Sequence, residues 1–223
     1  YIYNYLSCDY SFSILNFFGT RRFANYWFAT GTPTFLVKTI RDRGLNPKTI
    51  EDLQVEEAFF SKFSLEELDM PALLFQTGYL TIKNIRRRLY KTTYQLGYPN
   101  LEVRHSMMHN LLEAFAYKTP SVVSSALVQI EKGLEEGNVE LFIKQLKTIL
   151  ADISYHLHPK KGKEALELWE GYFHTIVYLV TSYLDMYVQT EVTKHKGRLD
   201  LMAETDQFLY LMEFKLDGTA TDA

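Results

Sequence analysis

The spacing of hydrophobic residues changes in the last third of the chain, and this change limits the folds that are available to it. Apolar residues recur at intervals of three and four from Glu164 to Leu184, which predicts one amphipathic helix. Alternating segments bounded by turn residues then follow at 186–192, 198–203 and 208–216. We therefore expect a helix followed by a three-stranded antiparallel meander.

The first half of the chain has a mainly helical pattern. Phe35, Leu36, Val37 and Ile40 have helical spacing within residues 1–72. Further along, a helix end at 73–77, strands at 79–82 and 92–98, and a helix at 102–117 are predicted in that order. Helix, hairpin and helix in this sequence indicate a winged-helix-like unit.

These patterns predict an α+β chain with three parts. Residues 1–120 form a helical, winged-helix-like part, residues 121–158 form a helical connector, and residues 159–223 form the helix and meander. Because the chain opens at Tyr1 without an initiator Met, we expect it to be a piece of a longer protein.

The charge balance places any nucleic-acid contact in a local patch. The formal net charge is -3 and the isoelectric point is about 6.1, so the whole chain is not a polybasic binder. A patch is predicted at the hairpin tip, and Arg198 is a further candidate contact; the tip residues are Lys83, Arg86, Arg87, Arg88 and Lys91. The alternative for these cations is an ordinary solvated hairpin tip.

Cysteine content and hydropathy indicate the compartment. Cys8 is the only cysteine, so the chain cannot form an intrachain disulfide and suits a reducing cytoplasm. No apolar run approaches the roughly 20 residues that span a bilayer. We expect a cytoplasmic protein without a membrane partner.

Acidic residues in the predicted meander suggest a metal site. Glu213 and Lys215 are two apart, so both side chains leave one face of the last strand. If the preceding strand pairs in register, Asp200 converges with Glu213. Two carboxylates are hard oxygen ligands that suit Mg²⁺ or Mn²⁺, and Lys215 could steady a water or a phosphate. The alternative is a Glu–Lys pair on the solvent face of an ordinary strand.

The same segments resemble the PD-(D/E)XK nuclease superfamily, whose fold is restriction-endonuclease-like. The runs that carry the resemblance are Gln189–Val192, Gly197–Leu201 and Tyr210–Gly218. The resemblance implies that Asp200 and Glu213 bind Mg²⁺ beside Lys215, and that a helix carboxylate completes the catalytic site. Glu170, at the edge of the predicted helix stripe, is the candidate for this last role, and Glu191 is its rival.

More closely, the chain resembles the nuclease-like C-terminal domain of bacterial AAA-ATPase-like proteins. Residues 23–33, 74–82 and 96–104 are similar to the end of the ATPase-like domain in that family. The chain contains no Gly-rich phosphate loop, so it is not expected to bind ATP, and the ATPase core would lie upstream as a partner. The chain also stops soon after Lys215, so we expect an α-β-β-β core that is truncated before the family's second helix and last strand.

Two functions of different classes follow from these patterns. The first is a Mg²⁺-dependent nuclease that hydrolyses the phosphodiester bonds of DNA, with RNA as the second possibility. The second is a regulatory half that binds DNA or a protein partner and keeps the nuclease fold as a scaffold. A zinc site at His105 and His109 is set aside, because no third ligand is evident.

Overall fold

The computed structural model of the chain describes residues 11–22, 26, 34–61, 69–151, 153, 163–184, 187–194 and 197–212. These residues form helices and small antiparallel sheets, which confirms the predicted α+β class. The chain divides into two compact units, residues 1–110 and residues 111–223. None of the described helices is long and apolar enough to cross a membrane.

The first unit combines short helices with one sheet. Its described elements are α1 (Ser11–Thr20), α2 (Thr34–Asp42), a 3₁₀ helix (Pro47–Ile50), β1 (Leu53–Glu56), α3 (Ala58–Ser61), α4 (Met70–Gln76), β2 (Thr81–Arg88), β3 (Lys91–Gly97) and the start of α5 (Leu101–Ala116).

Two of these helices form where the hydrophobic spacing predicts them. Leu36, Val37 and Ile40 are buried along one side of α2. In α5, the predicted stripe of apolar residues is at most 3% exposed, which confirms it as a core-facing side; its members are Val103, Met107, Met108, Leu111, Leu112 and Phe115. The Asn100 side chain caps α5 by accepting a hydrogen bond from the Val103 N–H at 2.9 Å.

The sheet of the first unit has the strand order β1-β3-β2, and both pairs are antiparallel. The predicted hairpin is present, but β2 runs to Arg88 and leaves only Leu89 and Tyr90 for the turn. Strand β1 is a correction to the sequence analysis, which predicted helical structure over residues 1–72. Its four residues pair with β3 from Leu53↔Leu96 to Glu56↔Thr93.

Alternation along the strands gives this sheet two different faces. The apolar face carries Tyr94, whose ring meets that of Phe60 at 4.8 Å between centroids. Phe60 also contacts Phe75 of α4 at 5.0 Å. The opposite face carries polar and basic side chains, because a core on one side leaves the other side to solvent.

The second unit consists of helices followed by a second sheet. Beyond the end of α5 its described elements are α6 (Pro120–Glu135), α7 (Val139–Leu150), α8 (Lys163–Tyr183), β4 (Tyr187–Lys194), β5 (Gly197–Glu204) and β6 (Leu209–Met212). The strand order is β4-β5-β6 with both pairs antiparallel, which confirms the predicted helix and meander.

Candidate functional site

Helix α8 supports the sheet of the second unit. Ile176, Val177 and Val180 are fully buried, and α8 contacts β4. Its Tyr172 hydroxyl donates a hydrogen bond of 2.6 Å to the Phe115 carbonyl in the last turn of α5. Glu170, the predicted helix carboxylate, belongs to α8. The hydrogen bond of Tyr172 therefore fixes the middle of α8, and the contact with β4 fixes its position against the first strand of the meander.

The register of β4 on β5 places two predicted acids side by side. Thr190 pairs with Leu201 and Val192 pairs with Leu199. Between these two pairs, Glu191 lies across from Asp200. Residues directly opposite in an antiparallel pair belong to one cross-strand row, so the register puts Glu191 and Asp200 in the same row. Arg198 lies in the same strand as Asp200, across from Thr193.

Strand β6 and the residue before it contact the end of α6 and the turn that follows it. The Tyr210 hydroxyl donates a hydrogen bond of 2.5 Å to the Leu134 carbonyl, and burial raises the pKa of this phenol. Gly137 has a φ of +68°, and a Cβ placed there would lie 2.9 Å from the Phe208 ring. The bare backbone of Gly137 therefore makes room for the ring that precedes β6.

The predicted metal ligands are only partly covered by the described residues. Strand β6 pairs with β5 from Glu204↔Leu209 to Leu201↔Met212. Asp200 immediately precedes Leu201 in β5, so it lies one position beyond the last of these pairs. Glu213 and Lys215 lie outside the described residues. The predicted convergence of Asp200 with Glu213 therefore stays a prediction.

Where their side chains are described, histidines and acids elsewhere do not form a three-ligand metal centre. Among the residues whose side chains are described, no group of three His, Cys, Asp or Glu side chains can hold a metal ion. Burial, and then the neighbouring His105, lower the pKa of His109.

The basic hairpin forms a second candidate site, in the first unit. Arg86 and Arg88 lie on the polar face of the sheet, and with Lys91 they line a shallow cleft of about 270 Å³. Arg87 lies on the other face of β2. The Lys91 Nζ is 2.5 Å from a carboxylate oxygen of Glu56, so this cation is already paired.

One predicted member of the hairpin tip lies elsewhere. Lys83 lies at an irregularity in the pairing, between Ile82↔Leu96 and Asn84↔Gln95. Its Nζ donates a hydrogen bond of 3.1 Å to the Pro99 carbonyl. The placement of Lys83 at the tip was therefore wrong, because β2 is longer than its apolar residues indicate.

Sequence reasoning missed three amide side chains in the same cleft. Gln54, Gln95 and Asn84 form one row across β1, β3 and β2. The Gln95 Nε2 donates to an Asp52 carboxylate oxygen at 2.7 Å. The alternation of side chains along each strand shows which residues share a face. It does not show that these three amides are neighbours, because that depends on the presence of β1 and on the register of the three strands.

A family model matches part of the second unit. Residues 168–223 match the family model of the PD-(D/E)XK nuclease superfamily. The match covers most of α8 and the whole nuclease-like meander, which confirms the resemblance there. The ATPase-containing context stays a prediction.

A longer bacterial protein is similar along most of the chain. The "Uncharacterized protein in vnfD 5'region" of Azotobacter chroococcum mcd 1 is 32% identical over 208 residues. The similarity covers 92% of this chain but 39% of the relative. No solved structure gives a significant match.

Proposed function

We propose that this chain carries the metal centre of a nuclease that hydrolyses phosphodiester bonds in nucleic acid, with DNA as the substrate and RNA as the second choice. The superfamily match over residues 168–223 supports a nuclease fold in this region. The observation that carries the proposal is the register of the β4-β5-β6 sheet, which sets Glu191 across from Asp200 and pairs Leu201 with Met212.

One more residue of the same register would extend this row. Continuing β6 by one position beyond the Leu201↔Met212 pair would set Glu213 across from Asp200. The acid row, defined as Glu191, Asp200 and Glu213, would then cross all three strands. Opposite residues in such a row have Cβ atoms about 4.5–5.5 Å apart, close enough for their carboxylates to share one cation.

An acid row needs a cation for a physical reason. Like charges directly across a sheet destabilise the pairing, and each carboxylate raises the cost of ionising its neighbour. A divalent ion would offset this repulsion. The donor set contains only hard carboxylate oxygens at the proposed positions, which suits Mg²⁺ or Mn²⁺ better than a soft metal.

The residues would divide the work as follows. Mg²⁺ or Mn²⁺, if held there, would supply an acidified water and positive charge to offset that of the scissile phosphate. Asp200 and Glu213 would hold the ion, and Lys215 would donate hydrogen bonds to the phosphate or to the attacking water. Either Glu191 in β4 or Glu170 in α8 would supply the remaining carboxylate. The sheet register favours Glu191.

The longer relative leaves room for further domains. Because the chain spans 39% of that relative, an ATPase core on the same polypeptide is proposed as the partner of this region. The chain itself contains no Gly-rich phosphate loop, so ATP would bind to that core and not here.

A second candidate function is nucleic-acid binding without cleavage, with the nuclease fold retained as a scaffold. The polar face of the β1-β3-β2 sheet favours it, since Arg86 and Arg88 are exposed there. The order of helices, β1 and the β2-β3 hairpin supports the winged-helix-like interpretation of this unit.

A cleavage assay separates the two candidates. We expect the chain to cut plasmid or linear DNA in Mg²⁺ or Mn²⁺ but not in EDTA, and Asp200→Ala and Glu213→Ala to lower the rate at least about 100-fold. The reason is that losing even an outer-sphere partner of a metal costs about 10–100-fold. Glu204→Ala, which removes an exposed carboxylate from the same strand β5, is the matched control.

The nuclease proposal fails if cleavage is unchanged in Asp200→Ala and Glu213→Ala. Nucleic-acid binding by a wild-type chain that never cleaves would favour the second candidate.

A further inference from the structure

The turn of the β2-β3 hairpin has residues that do not suit a tight turn. Arg88 pairs with Lys91, so Leu89 and Tyr90 form a two-residue connection. Such connections favour Asn-Gly or Asp-Gly, because primed turns need a positive φ, yet neither Leu89 nor Tyr90 has one. Turn chemistry therefore does not explain why two large side chains occupy these positions.

Core packing does not explain these two residues either. The Leu89 side chain is 87% exposed and Tyr90 is 95% exposed, which are the highest values among the large hydrophobic residues that the structure describes. Within that part of the chain, Tyr90 makes no contact with another aromatic ring. A local departure from the turn rules without a packing benefit is typical of a functional position.

The hairpin also projects beyond its own sheet. Strand β1 pairs with β3 only as far as Glu56↔Thr93. Beyond that row, β2 and β3 continue as a two-stranded ribbon through Arg87↔Thr92 and Arg88↔Lys91 to the turn. Arg87, Arg88 and Lys91 of this ribbon are exposed, as are both turn residues.

Unpaired cations flank the exposed tip. Arg86, Arg87 and Arg88 are exposed, and none forms an ion pair with a carboxylate among the described residues. Lys91 differs, because Glu56 neutralises it. The free charge therefore lies on β2, directly before the aromatic tip.

We infer that this hairpin binds single-stranded nucleic acid, with Tyr90 stacked on an unpaired base and Arg86 and Arg88 on backbone phosphates. The inference rests on the proposed function, because that function makes nucleic acid the ligand. It adds that the ligand is single-stranded and that it binds at the hairpin. A stacking ring needs the face of a base, which a duplex covers by its own stacking. Guanidinium groups supply the phosphate contacts that hold the strand in place.

The test is equilibrium binding by fluorescence anisotropy in EDTA, so that cleavage plays no part. The probes are a labelled single strand of about 16 nucleotides and the duplex of the same sequence. We expect the single strand to bind more tightly. Tyr90→Ser should weaken its binding about 5- to 140-fold, whereas Tyr90→Phe, which keeps the ring, should bind like the wild type.

The arginines have a separate signature in the salt dependence. Arg86→Gln with Arg88→Gln should reduce the slope of log K against log salt by about 1.4, because each lost phosphate contact on a single strand contributes about 0.7. Lys144→Gln with Lys147→Gln removes the same charge from the exposed side of α7 and should leave the slope unchanged. Circular dichroism melting confirms that each variant is folded.

Several results would overturn the inference. These are equal binding of single strand and duplex, no effect of Tyr90→Ser, an equal loss of slope in the α7 control, and binding to phosphatidylserine vesicles without binding to either DNA. Tyr90-dependent binding in EDTA that persists in Asp200→Ala, while cleavage is lost, would support the inference, because the hairpin then binds without the metal centre. Absent cleavage with intact Tyr90-dependent binding would refute the nuclease proposal alone.

Discussion

The two units each contain a three-stranded antiparallel sheet, but the sheets place their charges differently. In the β1-β3-β2 sheet, Lys91 and Glu56 lie 2.5 Å apart and neutralise each other, while the arginines beside them extend into solvent. In the β4-β5-β6 sheet, Glu191 and Asp200 lie across from each other in one row.

This difference separates charges that folding explains from charges that it does not. A pair of opposite charges across a sheet lowers the free energy of the fold slightly, whereas two carboxylates in one row raise it. The first sheet therefore contains one ion pair that its own residues neutralise, whereas we propose that the acid row of the second sheet is neutralised by a bound cation. The acid row is the stronger functional signal for this reason.

After the losses expected for Asp200→Ala and Glu213→Ala, the next largest effect concerns the third carboxylate of the acid row. Glu191→Gln should lower the rate of metal-dependent cleavage about 10- to 100-fold if Glu191 binds the metal ion or hydrogen-bonds to a residue or water that binds it. The matched change in α8, Glu170→Gln, should have a much smaller effect. Initial rates of DNA cleavage at saturating Mn²⁺ measure both. The reverse order would assign the role to the helix and weaken the argument from sheet register.

A smaller effect is expected at Gly137, where the backbone contacts the Phe208 ring just before β6. Gly137→Ala should lower the free energy of unfolding by about 2–3 kcal/mol, because the left-handed backbone disfavours a side chain and the new Cβ meets the Phe208 ring. Urea unfolding measures this loss.

Gly44 provides a control in the other unit. It has a φ of +63° and nothing within 4 Å of an added Cβ, so Gly44→Ala should cost only the backbone part, about 1–2 kcal/mol. Equal losses for the two variants would show that the Phe208 contact does not support β6.

The smallest effect is expected at the hydrogen bond between β6 and α6. Tyr210→Phe removes the 2.5 Å bond to the Leu134 carbonyl and should cost about 1 kcal/mol in unfolding by urea.

The pH dependence of the Tyr210 effect has a defined sign. Burial raises the pKa of Tyr210 above its ordinary value of 10.0, so the folded chain holds this proton more tightly than the unfolded chain does. The resulting stability is present below pH 10.0 and is lost as the pH rises through the raised value. Tyr210→Phe should lack this alkaline loss, and an identical loss in both proteins would contradict the assignment.

Sequence alone predicted the elements whose hydrophobic period is long and regular. The helix over Lys163–Tyr183 and the three strands after it follow from intervals of three and four and then of two. The core side of α5 follows in the same way, since Val103 and Leu111 are fully buried.

Short elements and lateral pairings could not be predicted. Strand β1 has four residues, of which only Val55 is buried, so its sequence carries little periodic signal. The cross-strand rows depend on register, which no single strand specifies. For this reason the placement of Glu191 beside Asp200, the row of Gln54, Gln95 and Asn84, and the position of Lys83 away from the tip emerged only from the structure.

The most direct test of the account is Mn²⁺ binding measured by isothermal titration calorimetry on the chain and on Asp200→Asn. The account predicts saturable binding at one site in the wild type and its loss in Asp200→Asn, with Glu204→Gln behaving like the wild type. Binding that is unchanged in Asp200→Asn, or no binding in the wild type, would contradict a metal centre at the acid row.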